Sequence, residues 1–140
     1  MKRLVLVSVL TSGLLIAPFV QADEVHGCPL AGQKQMAMAQ LFFGLAVPGR
    51  GPVNAKEWQR FTARTLSRYF PDGFTAYDGA GQWMDTNTHR IVRERSKVVV
   101  VVAGDDASFA KSIAAVTDAY RSAFRQQSVG VVTQTACAAF

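Results

Sequence analysis

The sequence is poor in the residues on which most enzyme chemistry depends. Its 140 residues include only two histidines and two cysteines. It has no nucleophile-elbow pattern, no phosphate-binding loop and no cluster of metal-ligand residues. A Ser-His-Asp hydrolase would have to use His89, which lies at a predicted hairpin turn. We therefore expect no metal and no cofactor, and the sequence leaves open whether the protein is an enzyme.

Charged residues are also scarce. They make up 18% of the sequence, against 49% hydrophobic residues, which is a globular composition and not a disordered one. Without Lys2 and Arg3, 13 basic residues remain against 10 acidic ones, so the net charge is near +3. Nucleic-acid-binding proteins usually concentrate more positive charge than this and place aromatic residues among it, so we expect no nucleic-acid partner.

The N-terminal residues have the pattern of a secretory signal peptide. Lys2 and Arg3 form a short positive region, and residues 4–20 are almost wholly apolar. Small residues then lead up to a cleavage site after Ala22. We expect residues 1–22 to be removed, which makes the mature protein periplasmic or secreted.

Lipidation of Cys28 is the alternative to this cleavage. Residues 25–28 resemble a lipobox, but Asp23 and Glu24 separate this box from the apolar run. We therefore expect contact with the membrane only through the signal peptide, and a lipid anchor at Cys28 is the weaker hypothesis.

Cys28 and Cys137 are the only cysteines. An even number of cysteines in an exported chain predicts a disulfide. This bond would close a loop through nearly the whole mature chain, and the chain-entropy model then gives a stabilisation of roughly 4 kcal/mol. A redox or metal site built on His26 and Cys28 is the alternative, but two ligands alone do not make such a site.

Hydrophobic periodicity predicts the order strand, helix, strand, strand, helix, strand. Asn54 and Glu57 have the spacing of a capping box at the start of the first helix, and an aspartate of residues 105–106 is expected to cap the second. The predicted strands cover 36–47, 74–84 with a bulge or kink at 79–81, 90–103 and 128–136, and the helices end near Tyr69 and Phe124.

This order is that of the split βαβ, ferredoxin-like α+β fold, βαββαβ, a four-stranded antiparallel sheet with both helices on one face. We expect one such domain over residues 36–140, after an N-terminal extension over 23–35. The first and last strands are neighbours in this topology, which brings Cys137 near the N-terminal segment. The other face of the sheet has no helix to cover it. Such domains often pair sheet to sheet, so a monomer and a homodimer both stay open.

From Leu41 onward the chain resembles a bacterial family known as domain of unknown function 3574. The resemblance implies an exported or lipoprotein-like protein and no known activity. Arg95 stands where relatives usually have proline. The motifs that carry the resemblance are residues 41–45, Glu57-Trp58 with Phe61, residues 70–75, Asp78, residues 81–83, residues 93–97, and Tyr120 with Phe124 and residues 127–129.

Polar residues of the predicted hairpin form the best candidate binding site. Alternation along a strand would place Arg93, Arg95 and Lys97 on one face and Glu94 and Ser96 on the other. Three basic groups on one face could hold a carboxylate or a phosphate. The alternative is a solvated edge hairpin with salt bridges to Asp85 or Glu94. The candidate residues are Gln82, Trp83, Arg93, Glu94, Ser96 and Lys97.

A stripe of basic residues recurs every four positions along the first helix. It could meet anionic lipid headgroups or an acidic partner surface, or it could be an ordinary exposed helix face. Its members are Lys56, Arg60, Arg64 and Arg68.

These observations favour a periplasmic binding or interaction module for an unknown small molecule or envelope protein. The alternative is a small enzyme whose pocket lies at a sheet-to-sheet dimer interface and uses Arg93, Glu94 and Lys97.

Overall fold

A computed structural model describes residues 27–85, 88–104 and 107–140. The expected signal peptide, residues 25–26 of the lipobox, which include His26, and the aspartates 105–106 expected to cap the second helix lie outside the described residues. The described chain is an α+β structure with one helical segment after the first strand and another after the third. Its strands are β1 Lys34–Gly44, β2 Thr75–Met84, β3 Ile91–Ala103 and β4 Gly130–Ala138, and its helical elements are α1 Ala55–Phe61, a π-helical turn Thr62–Leu66, α2 Ser67–Tyr69 and α3 Ala107–Phe124.

The strands form one four-stranded sheet in the order β2-β3-β1-β4, and each neighbouring pair is antiparallel. β3 is an internal strand and contains an unbroken valine run at 98–102, which is typical of a strand covered on at least one face. β4 lies beside β1, so the first and last strands are neighbours, as expected. β2 and β4 are the two edges of the sheet.

Both helical segments cover the same face of the sheet. Alternate residues of β1, from Ala37 to Phe43, are buried on that face. The ring of Phe43 lies 5.7 Å from that of Trp58 in α1 and 4.7 Å from that of Tyr120 in α3. We call the opposite side, which carries Phe42, the helix-free face.

Tyr120 joins α3 to the end of β1. It is fully buried, and its hydroxyl donates a hydrogen bond of 2.7 Å to the carbonyl oxygen of Gly44. Burial, together with the nearby carboxylates of Glu94 and Glu57, raises the pKa of this hydroxyl far above its ordinary value.

The first helical segment begins with the expected capping box. The Asn54 side chain accepts from the Glu57 backbone at 3.0 Å, and the Glu57 carboxylate accepts from the Asn54 backbone at 2.9 Å. Glu57 also forms an ion pair of 3.1 Å with Arg50. The backbone hydrogen bond at Asn54 and the Arg50 guanidinium hold the pKa of Glu57 below its usual value.

The rest of this segment is not the regular helix that was predicted. The π-helical turn widens the spacing of buried positions, which runs from Phe61 to Leu66 and then to Phe70. Tyr69, at the end of this segment, lies between the buried positions Leu66 and Phe70 and is 37% exposed.

The strands differ from the expectations in two further respects. No bulge occurs at 79–81, because Gly79, Ala80 and Gly81 pair one to one with β3. Gly79 instead permits a close approach, since a Cβ there would lie 2.7 Å from the Ser96 hydroxyl. The limits of β1 and β4 also differ by two or three residues from the predicted ones.

Cys28 and Cys137 form the predicted disulfide, with their Cα atoms 5.4 Å apart. The Gln33 side chain donates a hydrogen bond of 3.3 Å to the Cys137 carbonyl oxygen. The segment before β1 is thereby tied to the edge strand β4. A disulfide of this kind fits a compartment outside the cytoplasm. Within the described ranges, no helix is long and apolar enough to cross a membrane.

Candidate binding cleft

The structure divides the six candidate residues between the two faces of the sheet. Gln82 is directly opposite Arg93 in the β2–β3 ladder, and both lie on the side of the sheet that carries the helices, as does Lys97. Trp83, Glu94 and Ser96 lie on the helix-free face. The alternation expected for residues 93–97 is therefore present, but the six side chains do not converge on one point.

Two of the three basic residues of β3, Arg95 and Lys97, are paired within the hairpin. Lys97 Nζ lies 2.7 Å from Asp78 Oδ1, and the Arg95 guanidinium lies 4.0 Å from the same oxygen. The hydrogen bond from Lys97 lowers the pKa of the Asp78 carboxyl, and the charges of both cations act in the same direction. Asp78, which is directly opposite Lys97 in the ladder, is the acidic partner of both cations. Neither cation forms a salt bridge to Glu94, as had been one expectation.

The other three candidates line a cleft of about 680 Å³ on the helix-free face. Its floor consists of small residues from all four strands, and its sides include the rings of Phe42 and Trp83. One end is bounded by residues 46–48 before α1 and by residues 125–128 after α3. The floor residues are Gly44, Gly81, Ser96 and Gly130.

Glu94 lies across Gly44 in this cleft. Its Oε1 accepts a hydrogen bond of 2.6 Å from the backbone of Ala46. A Cβ at position 44 would come within 2.6 Å of Oε1 and 3.0 Å of Oε2, so the carboxylate occupies space that the absence of a side chain at Gly44 leaves open. Among the described residues, Oε2 has no hydrogen-bond donor, and the carboxylate can accept a further hydrogen bond from a ligand.

Side chains from the end of α3 hold the loop that walls the cleft. Gln126 donates a hydrogen bond to the carbonyl oxygen of Ala46, and Arg125 donates one to that of Pro48. Arg125 has a φ of 50°, the left-handed conformation that ends many helices. This turn directs both side chains back toward the loop. This wall of the cleft therefore combines two segments that are far apart in sequence, since Gln126 and Ala46 are separated by 80 residues.

Most of the sequence matches a family model. The model is described as Protein of unknown function (DUF3574), and the match covers residues 38–140. The chain belongs to this family. None of the curated proteins matches it.

Solved structures of similar fold include a phage SAM lyase. The lyase in complex with S-methyl-5'-thioadenosine aligns with 16% identity and a TM-score of 0.58, over 75% of this chain and 90% of that chain. The lyase in its apo state aligns with 19% identity and a TM-score of 0.55, over 72% and 81%. At these identities the likeness is one of fold.

Several of the segments that carried the resemblance to this family in the sequence meet at the cleft. Residues 41–45 contribute Phe42 and Gly44, residues 93–97 contribute Glu94 and Ser96, and residues 127–129 contribute Gln127 and Ser128, while Trp83 comes from a fourth motif. The motifs are far apart in sequence, and the fold brings them together.

Some cleft residues were not identified as site candidates from the sequence. Phe42, Gly44, Gln127 and Ser128 appeared only within the motifs that carry the family resemblance. The signal that could have found them is that their motifs carry the same family resemblance as the separate motifs that contain Glu94 and Trp83. Arg125 and Gln126 had no such signal.

Other candidate features lie elsewhere. His89 is exposed at the β2–β3 turn and does not line the cleft. The basic stripe on the first helical segment, from Lys56 to Arg68, is exposed and forms no ion pair with the described part of the chain. In residues 27–85, 88–104 and 107–140, no group of three or more His, Cys, Asp or Glu side chains is placed to hold a metal ion.

Proposed function

We propose that this DUF3574 protein is an exported binding module and that the cleft beside Glu94 binds a small molecule. The observation that supports this most is the convergence of family motifs on one cleft. Its volume of about 680 Å³ is in the usual range for small-molecule sites.

The side chains of the cleft indicate the chemistry of the ligand. Phe42 and Trp83 are 37% and 45% exposed and offer aromatic surface to an apolar or ring-shaped group. Glu94 offers a carboxylate oxygen to an amine, a hydroxyl group or another hydrogen-bond donor. We therefore expect a ligand that combines a ring or an apolar chain with a donor group.

The proposal includes the cellular location and the domain organisation. Residues 1–22 are the cleaved signal peptide, residues 23–35 are the extension that carries Cys28, and residues 36–140 are the binding domain. The disulfide supports export because such bonds persist outside the cytoplasm.

We also propose that the fold is of the ferredoxin-like type. The strand order places β3 between β1 and β2, and β1 between β3 and β4. Each strand-helix-strand unit thus encloses a strand of the other, which is the arrangement of two split βαβ units.

A small enzyme is the second candidate, because Glu94 could act as a general base through its second oxygen. Arg93 and Lys97 give this candidate no support, since they lie on the opposite face and Lys97 is paired with Asp78. Of the three residues expected for an enzyme, Arg93, Glu94 and Lys97, only Glu94 lines this cleft.

The experiment compares two neighbouring residues on opposite faces. Protein purified from the periplasm is examined by native mass spectrometry, and S-methyl-5'-thioadenosine is added as a defined probe in a parallel fluorescence titration of Trp83. Glu94→Gln and Trp83→Ala should lose a retained small molecule that the wild type and Arg93→Gln keep. The proposal is wrong if Arg93→Gln loses the molecule and Glu94→Gln keeps it.

The same preparation separates the two candidates. If the retained molecule or the probe changes mass with time in the wild type but not in Glu94→Gln, the protein is an enzyme. Binding without turnover supports the binding module.

A further inference from the structure

We propose that the helix-free face pairs with the helix-free face of a second copy of this chain. This pairing would cover the cleft that the proposed function uses. The composition and size of the helix-free face favour this pairing whether or not a ligand is bound.

The helix-free face carries almost no charge. Among the strand residues on the same side as Phe42, only two are charged. They are Lys34 at the start of β1 and Glu94 in the cleft. The positions between them are valine, methionine, glycine, glutamine, threonine, serine, alanine or aromatic. A strand face that is exposed to water in a monomer usually carries polar side chains.

Large apolar side chains are nevertheless exposed there. Phe42, Tyr77, Trp83 and Val132 are 37%, 48%, 45% and 49% exposed. They come from β1, β2 and β4, so the exposed apolar surface extends across the sheet from one edge to the other. Exposed apolar side chains spread over one face in this way are typical of an interaction site.

The distribution of charge favours a second copy as the partner. The protein is basic overall, and its first helical segment exposes Lys56, Arg60, Arg64 and Arg68 on the opposite side. Two copies that approach through their helical sides would repel each other. The strand positions of the helix-free face carry one basic and one acidic residue, so two copies can meet through this face without that repulsion. A two-fold dimer uses one surface twice.

The size of the face is sufficient for such a dimer. Four strands spaced about 4.8 Å apart and about nine residues long give a face of roughly 19 Å by 30 Å. Two such faces bury about 1,100 Å², which is close to the lower limit of about 1,000 Å² for a specific interface.

The cleft would gain a roof from this arrangement. It opens on the helix-free face and has the sheet as its floor. A site that binds a small molecule well usually buries most of the ligand surface, which an open sheet face does not. A second sheet packs about 10 Å away and would cover a flat ligand. This step rests on the proposed function.

Two adjacent valines provide a matched test. Val132 lies on the helix-free face and Val131 on the other, and both are exposed in β4, 49% and 42%. We expect sedimentation velocity on the mature, disulfide-bonded protein to show a dimer for the wild type and for Val131→Lys. Val132→Lys should raise the dimer dissociation constant at least about tenfold, because an unpaired charge would enter the interface twice.

A second measurement needs no variant. Trp83 should become buried on dimerisation while Trp58 stays buried in both states, so the tryptophan emission of the wild type should shift to the blue as protein concentration rises. A wild type that is monomeric at every concentration overturns the proposal, and so does a dimer that Val131→Lys disrupts and Val132→Lys does not. Because these measurements use protein without added ligand, a monomer that still binds through Glu94 overturns the dimer and leaves the proposed function intact.

Discussion

Removal of the disulfide is the most direct test of how the ends of the chain are held. The change is Cys28→Ala together with Cys137→Ala, which leaves no cysteine in the chain. The bond joins positions 109 residues apart and fastens the segment before β1 to the edge strand β4. Residues 130–135 of β4 are exposed, so burial contributes little to the stability of this strand in the sheet.

The expected loss follows from the length of the closed loop. For a loop of about 100 residues, the chain-entropy relation gives about 4.7 kcal/mol at 25 °C, because the cross-link restricts the unfolded chain. At roughly 4 °C per kcal/mol for a domain of this size, the melting temperature should fall by about 15 to 20 °C.

Circular dichroism melts of the wild type and the double variant measure this fall. Wild-type protein treated with a reductant is the control, and it should melt together with the double variant. A fall of less than about 5 °C in both would refute the reasoning. It would mean that the β1–β4 hydrogen bonds alone hold the last strand and that the unfolded chain is already compact.

Two other changes address α3 and the first helical segment. The pKa of Tyr120 is raised above its ordinary value of 10.0, so the unfolded chain releases this proton at lower pH than the folded one. The free energy of unfolding should therefore be unaffected by this group below about pH 10 and should fall above it, by up to about 1.4 kcal/mol per pH unit. Tyr120→Phe should remove this part of the slope in urea unfolding, although the unpaired Gly44 carbonyl costs about 1 to 2 kcal/mol at neutral pH; identical alkaline slopes in both proteins would contradict this. Asn54→Ala should lower the free energy of unfolding by about 1 kcal/mol while Asn54→Ser retains most of it, and equal losses in the two variants would count against the capping role.

The types and order of the elements could be predicted because local patterns determine them. The alternation of β1 around Phe43 and the valine run of β3 are signals of the strands themselves. Asn54 and Glu57 satisfy each other within one turn of helix, so their spacing is sufficient evidence. The disulfide was predictable because only two cysteines exist.

Packing between elements decided what could not be predicted. The π-helical turn places Phe61, Leu66 and Phe70 in the core at spacings of five and four, and a regular helix with Tyr69 inside was equally compatible with the residue types. Likewise, glycines at 79 and 81 fit either a bulge or a close approach between strands. The contact between Gly79 and Ser96 distinguishes the two.

Only part of the cleft could be predicted from the sequence, because its floor consists of glycines and one serine, which give no signal of a site. Glu94 was a candidate by its charge, but nothing in its own strand indicates that Gly44 in β1 leaves room for it. That relation follows from the register, which places Gly44 opposite Ser96 and Gly81 opposite Glu94. The same register assigns Arg93 and Lys97 to the other face, although they are neighbours of Glu94 in sequence. A binding site on a sheet therefore depends on which residues lie opposite each other on neighbouring strands. Motifs that are distant in sequence but are brought together by the strand register predict such a site better than a run of polar residues along one strand does.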